Sequence, residues 1–227
     1  MPVPPVPPIP LDLALLTLLW AGYFAVHSLM ASLWVKQWVR KRSPTAERHY
    51  RLIYVILSVA LLIPPVWLMF DLVGEPLWQW QGAWSWAANL LALAALLGFW
   101  HSTRIYDMRA FLGLRPAAAG QTSLRLSTVH RFVRHPWYLY ALIILWTRDM
   151  DTAQLVSAVC ITLYFWIGAR LEDRKLEAEY GAPYRLYRAR VPGFLPRPWR
   201  YMTACEAREL VAASYRARQG MPGRKTV

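Results

Sequence analysis

Val129-His-Arg-Phe-Val-Arg-His-Pro-Trp-Tyr-Leu-Tyr140 sets two histidines and two arginines directly against Pro136, then runs unbroken into the apolar segment 139–146. So much charge beside so much hydrocarbon marks a membrane boundary, with polar chemistry at the mouth of a bilayer segment. Ionisable groups at such depth are costly, pair with one another or face a wet cavity, and are functional candidates by default. A second charged block, 170–179, closes the same segment on its far side.

The rest of the chain agrees with a membrane setting. Its 227 residues are 56% hydrophobic and include 13 tryptophans, too apolar for a soluble domain with one core. The formal charge of +13 does not read as nucleic-acid binding, because such proteins carry their charge on a soluble scaffold without long apolar runs. Cys160 and Cys205 lack metal or redox spacing, and no metal site is expected. The proline-rich stretch 1–10 reads as an extended leader rather than a cleaved signal peptide.

About 30 Å of hydrocarbon requires roughly 20 residues of helix, and runs 11–35, 52–73 and 83–105 qualify. Residues 136–146 and 152–169, joined through 148–151, are expected to add a helical hairpin. The expected fold is therefore all-α and polytopic, with about five transmembrane helices and a cytoplasmic amphipathic helix. Pro64-Pro65 should kink the second helix or end it early.

The basic residues set the orientation, since cytoplasmic loops retain Lys and Arg. Six fall in 36–51, six in 104–134 and thirteen from 170 onward, leaving Arg148 alone on the other side. Loop 71–82 has two acids and no base. The N-terminus is expected outside a bacterial inner membrane and the C-terminus in the cytoplasm. Trp78, Trp80, Trp84 and Trp86 suit an aromatic belt at the outer interface. Leu171, Leu176, Tyr180, Tyr184 and Tyr187 recur at near-helical spacing, interrupted at Gly181 and restarted at Pro183. Beyond Pro198 a basic, Gly/Pro-punctuated tail follows, lying on anionic lipid or disordered.

No Walker pattern and no nucleophile motif occurs. His27 and His101, within or at the end of crossings, admit a haem or metal reading, but isolated histidines more often bond a neighbouring carbonyl or hydroxyl. The basic loop is more specific. Arg131, Arg134 and His135 precede a proline at a helix start, where backbone donors attract carboxylates. Together with an acid such as Glu172, they offer what a zwitterion with an amino-acid end requires. The plainer alternative is a positive-inside loop paired with acids of the following helix.

The ordered motifs Phe111-Leu-Gly-Leu-Arg115, Arg134-His-Pro-Trp-Tyr138, Arg170-Leu-Glu-Asp-Arg-Lys-Leu176, Tyr180-Gly181 and Tyr184-Arg-Leu-Tyr-Arg-Ala-Arg-Val-Pro192 resemble the membrane methyltransferase superfamily. That superfamily includes the isoprenylcysteine carboxyl methyltransferases and phospholipid N-methyltransferases. His27-Ser28, Lys36, Tyr50-Arg-Leu-Ile-Tyr54 and Leu145-Trp146 look more like its bacterial branch of NnrU-like proteins and methanethiol S-methyltransferases. The resemblance implies S-adenosylmethionine-dependent methyl transfer to a small thiol or lipophilic acceptor at the bilayer. With the apolar runs, this gives an expected division into a leader (1–10), three crossings (11–106), a region that the resemblance makes methyltransferase-like (107–198) and a basic tail (199–227).

By the same resemblance, His135, Pro136, Trp137 and Tyr138 line the cofactor site beside Arg134, Glu172 holds the cofactor, and Thr122, Ser123, Leu124, Arg125 and His130 add contacts. Thr128-Val-His130 stands where members usually read Gly-x-Tyr, and Glu172-Asp173 where they read Glu-Glu. A thiol acceptor must ionise, and Arg170, His130 or His101 is expected to lower its pKa or take its proton. Two alternatives remain open: an NADPH-dependent membrane reductase of the sterol reductase type, and a non-catalytic NnrU-like membrane factor.

Overall fold

A computed structural model describes residues 9–72, 74–115 and 124–219. Helix α1 (Pro10–Ala31) opens on a proline, whose missing N–H costs nothing in a first turn. It stops at Ser32, which is extended and accepts from the Val35 N–H at 3.3 Å to cap α2 (Leu33–Arg42). The first apolar run, expected over 11–35, is thus cut by a serine that serves better as a cap than as a helix interior.

Helix α3 (Pro44–Asp71) begins at a second serine cap, Ser43, and runs through Pro64 and Pro65 instead of ending at them. Each proline removes one helical hydrogen bond, but Leu62 and Val66 on either side pack into the core around Leu16, Trp20 and Ala153. Strand β1 (Pro76–Trp78) pairs antiparallel with β2 (Met150–Asp151), and Trp78 stacks on Trp146 with centroids 6.4 Å apart. The remaining elements are α4 (Ala83–Thr103), the short α5 (Met108–Phe111), a 3-10 turn (Thr128–Arg131), α6 (Pro136–Trp146), α7 (Thr152–Tyr180), α8 (Ala182–Arg190) and α9 (Ala204–Gln219).

Among the described residues four helices are long and apolar enough to cross a membrane: α1, α4, α7 and the 49–71 portion of α3. Leu18, Ile63 and Leu97 on these helices are 68%, 61% and 60% exposed, as side chains solvated by lipid should be. Where five crossings were expected, α6 is the exception, since its 11 residues span only about 16 Å at 1.5 Å per residue.

The chain forms two compact parts. One contains α1, α2, α3, both strands and the starts of α4 and α7. In it Trp20 donates to Ser157 Oγ at 2.9 Å, and Phe24 stacks on Tyr164 at 4.1 Å. Here the motif glycine Gly113 has φ +78°, and a Cβ would lie 2.4 Å from the Leu52 backbone nitrogen. Only glycine fits there. Arg51 fastens the same turn by donating to the Phe111 carbonyl at 2.6 Å.

The second part contains the ends of α4 and α7, most of α6, the 3-10 turn, α8 and α9. Gly98 of α4 lets Tyr140 of α6 approach so closely that a Cβ would meet its ring at 2.7 Å. The basic tail, expected to lie on anionic lipid or to be disordered, supplies α9, whose Leu210 instead joins a core with Leu124, Tyr184, Tyr187, Val191 and Met202.

Candidate active site

Within this second part, the Arg-His-Pro stretch is held by backbone pairing. Arg134 N–H donates to the Pro192 carbonyl at 2.9 Å and His135 N–H to Gly193 at 3.1 Å. Pro136 then starts α6, with Leu139 N–H closing the first turn onto the His135 carbonyl at 3.1 Å. Tyr187 OH donates to the His130 carbonyl at 2.7 Å, and Ser214 Oγ of α9 accepts from Leu124 N–H at 3.1 Å.

Asp173, its side chain 6% exposed, is the hub. Its Oδ1 accepts from Arg134 Nε at 3.1 Å, His135 Nε2 at 3.1 Å and Tyr184 OH at 2.6 Å, while Oδ2 accepts from Arg134 Nη2 at 2.7 Å. Charge-assisted bonds of this kind are short and strong. Glu172, one residue earlier, is 47% exposed and accepts from Tyr138 OH at 3.3 Å. Adjacent acids therefore play different parts, one buried as an anchor and one open.

The two histidines are held in opposite states. His135 presents Nε2 to Asp173 and Nδ1 to Glu172, the latter at 3.4 Å. Burial alone would lower its pKa, but hydrogen bonds to the two carboxylates outweigh that and raise it, favouring the imidazolium. His130 is pushed down to about 4, by burial first and by the charge of His135 second. Its Nδ1 accepts the Ser127 N–H at 3.1 Å, so the proton of this neutral ring belongs on Nε2. No described non-glycine residue has positive φ, so Thr128 sits in a backbone conformation that needs no glycine.

A cavity of about 300 Å³ lies against these groups, lined by Leu124, Arg125, His130, Arg134, His135 and Glu172, all expected from the sequence. Arg125 donates to the Ile105 carbonyl at 2.8 Å and has no carboxylate partner among the described residues. The lining also includes Tyr106, Leu126, Leu176, Tyr180, Tyr184 and Tyr187, which were not singled out as site residues. In the sequence Tyr184 and Tyr187 belong to a near-helical stripe and to the last ordered motif, without a site role, and Tyr106 carries no motif. Burial, with the Glu172 charge beside it, pushes the Tyr106 phenol up to about 12.

Of the other expected residues, Trp137 donates its indole N–H to Ser102 Oγ at 2.8 Å, and Tyr138 stacks on His135 at 5.5 Å. Arg170 lies over the Trp166 ring at 3.3 Å, and His101 is exposed in the last turn of α4. Neither lines the cavity. Thr122 and Ser123 lie outside the described residues. In the first part, His27 bonds Ser58 Oγ at 3.1 Å and Tyr54 OH at 2.8 Å, so both ring nitrogens have hydroxyl partners.

Helices fit to cross a bilayer, with a cavity of mixed charge among residues that follow and precede them, define an integral membrane protein with a candidate small-molecule site. Similarity sharpens that class. Methanethiol S-methyltransferase 2 of Bradyrhizobium diazoefficiens is 34% identical over 192 residues, covering 81% of this chain and 73% of that protein. Methanethiol S-methyltransferase of Pseudomonas deceptionensis is 32% identical over 195 residues, 82% of this chain and 71% of that one. The Mycobacterium tuberculosis protein of the same name is 32% identical over 197 residues, 79% and 77%. No family model and no solved structure matches the chain. The chain belongs to the family of these S-methyltransferases.

Proposed function

We propose that this enzyme transfers a methyl group from S-adenosylmethionine to a small thiol, methanethiol being the acceptor named in its relatives. The observation that carries this reading beyond family membership is the pairing, in one cavity, of Arg125, which has no carboxylate partner among the described residues, and the open carboxylate of Glu172. Those groups fit the two charges of an amino-acid end.

Glu172 receives the ammonium and Arg125 the carboxylate of the donor. His135 and Tyr138 hold Glu172 in place, and Asp173 in turn fixes His135. The Nε2–H of His130 and the neutral Tyr106 phenol offer further donors. Once bound, the donor supplies a methyl carbon made electrophilic by a sulfonium. The cations Arg125, Arg134 and His135 favour the thiolate form of the acceptor. Alignment is the main requirement of an in-line displacement, and positioning supplies roughly 7–11 kcal/mol. With its Nδ1 lone pair occupied by Ser127, His130 acts as donor rather than base, and no step is assigned to Arg170 or His101.

Base distribution supports an N-terminus outside the inner membrane and a cytoplasmic cofactor cavity. We further read α6 as a short arm that re-enters beside α7. The last turns of α7, rich in charge from Arg170 on, then stand clear of the hydrocarbon as a cytoplasmic amphipathic extension. The test is calorimetric titration of detergent-purified protein with S-adenosylhomocysteine and, in parallel, NADPH, followed by headspace detection of dimethyl sulfide from methanethiol. Binding of the first ligand alone with sulfide production is expected. Binding of NADPH alone would replace this reading with a reductase.

A further inference from the structure

We propose that a second cavity, in the other compact part, binds the headgroup of an ethanolamine phospholipid. This cavity of about 410 Å³ lies where α3 and α6 end and α4 and α7 begin. Its charged lining is Arg148 and Asp149; Met69, Phe70 and Leu145 form an apolar wall.

Arg148 is the one base between 135 and 169, and loop 71–82 on the same side has none. Its guanidinium donates to Asn89 Oδ1 at 3.0 Å and, weakly, to Thr147 Oγ1 at 3.4 Å. Among the described residues it has no carboxylate partner. A guanidinium with unused donors matches a phosphodiester in fork geometry. Asp149 accepts the Trp80 N–H on Oδ1 at 2.9 Å, and its remaining acceptor capacity suits a primary ammonium.

The start of α7 does not compete for the phosphate, because Asp151 and Gln154 already cap it reciprocally at 2.8 and 3.0 Å. A neighbouring cation and anion in one cavity favour a zwitterion over a purely anionic headgroup. The apolar wall and the exposed Trp84 and Trp86, 71% and 74% exposed, favour one that arrives on an acyl chain at the interface. Phosphatidylcholine has no N–H to offer Asp149, and phosphatidylglycerol has no cation.

The test uses delipidated full-length protein in detergent, with lipid binding read by native mass spectrometry and thermal unfolding. Phosphatidylethanolamine, phosphatidylglycerol, phosphatidylcholine and soluble glycerophosphoethanolamine are compared. Phosphatidylethanolamine should bind best and raise the unfolding temperature most. Arg148→Gln should weaken it about tenfold or more, the effect of losing a charged hydrogen bond. Asp149→Asn should abolish the preference over phosphatidylcholine while keeping affinity for phosphate-bearing lipid. Should Arg148→Gln not fold, Arg148→Lys, which keeps the charge but not the fork, should bind at an intermediate level. Equal binding of all three lipids, wild-type affinity in the Arg148 variant that folds, or equal stabilisation by the soluble headgroup would overturn the proposal.

Discussion

Asp173 and Glu172 are neighbours on α7, yet neutralising them should have opposite consequences. In Asp173→Asn the amide keeps one oxygen for His135 and Tyr184 but turns an NH2 toward Arg134 Nη2, now 2.7 Å from Oδ2. A donor then faces a donor, and Arg134 and His135 lose their buried counter-charge. Breaking a buried ion pair costs about 3–5 kcal/mol. At 2–4 °C per kcal/mol for a chain of this size, the unfolding temperature should fall by roughly 6–20 °C.

In Glu172→Gln the side chain is half open and its partners stand at 3.3 and 3.4 Å, so stability should change by at most about 1 kcal/mol. Affinity for S-adenosylhomocysteine should instead drop about tenfold or more. Differential scanning fluorimetry and calorimetric titration on both variants separate the outcomes. Wild-type stability in Asp173→Asn, or wild-type affinity in Glu172→Gln, would refute the division into anchor and ligand.

Other changes should follow the same logic. Arg125→Gln should weaken S-adenosylhomocysteine about tenfold and leave 5′-methylthioadenosine, which lacks the amino-acid end, unaffected in a competition titration. Because folding lowers the His130 pKa from 6.5 to about 4, the contribution of this group to stability is full above pH 6.5. It should decline as pH falls toward 4, by about 3 kcal/mol for this one group. His135, with its pKa raised, contributes fully below 6.5 and loses that contribution as pH rises through its folded value. Unfolding curves across pH 4–8 should show the acid limb shrink in His130→Asn. Gly113→Ala places a methyl group against the Leu52 backbone at positive φ, and a loss above about 2 kcal/mol is expected in urea unfolding.

Long crossings were legible because lipid imposes continuous apolar length, and this survives without tertiary knowledge. Their ends were less so: Ser32 does not interrupt the composition of 11–35, yet its hydroxyl ends one helix and caps another. The β1–β2 pairing joins Pro76 to Asp151, a separation no local pattern encodes. At the candidate site, ordered motifs led to Arg134, His135 and Glu172, but spacing could not distinguish the roles of Glu172 and Asp173. That distinction depends on Tyr184 and Arg134 converging on one carboxylate. Helix α9 carried a readable sign, Ala207, Leu210 and Ser214 at helical spacing, obscured by the surrounding arginines.

The hydrogen bond from Leu124 to Ser214 also has a timetable. Its two residues lie 90 apart in the chain, and synthesis at roughly 5–20 residues per second separates them by about 5–20 s. The cavity wall that begins at Leu124 therefore waits for α9 to be synthesised before it is fastened. Until α9 has been made and has docked, the Leu124 side of the cavity lacks this tie, so the wall is finished by a helix that lies far along the chain from the loop it secures.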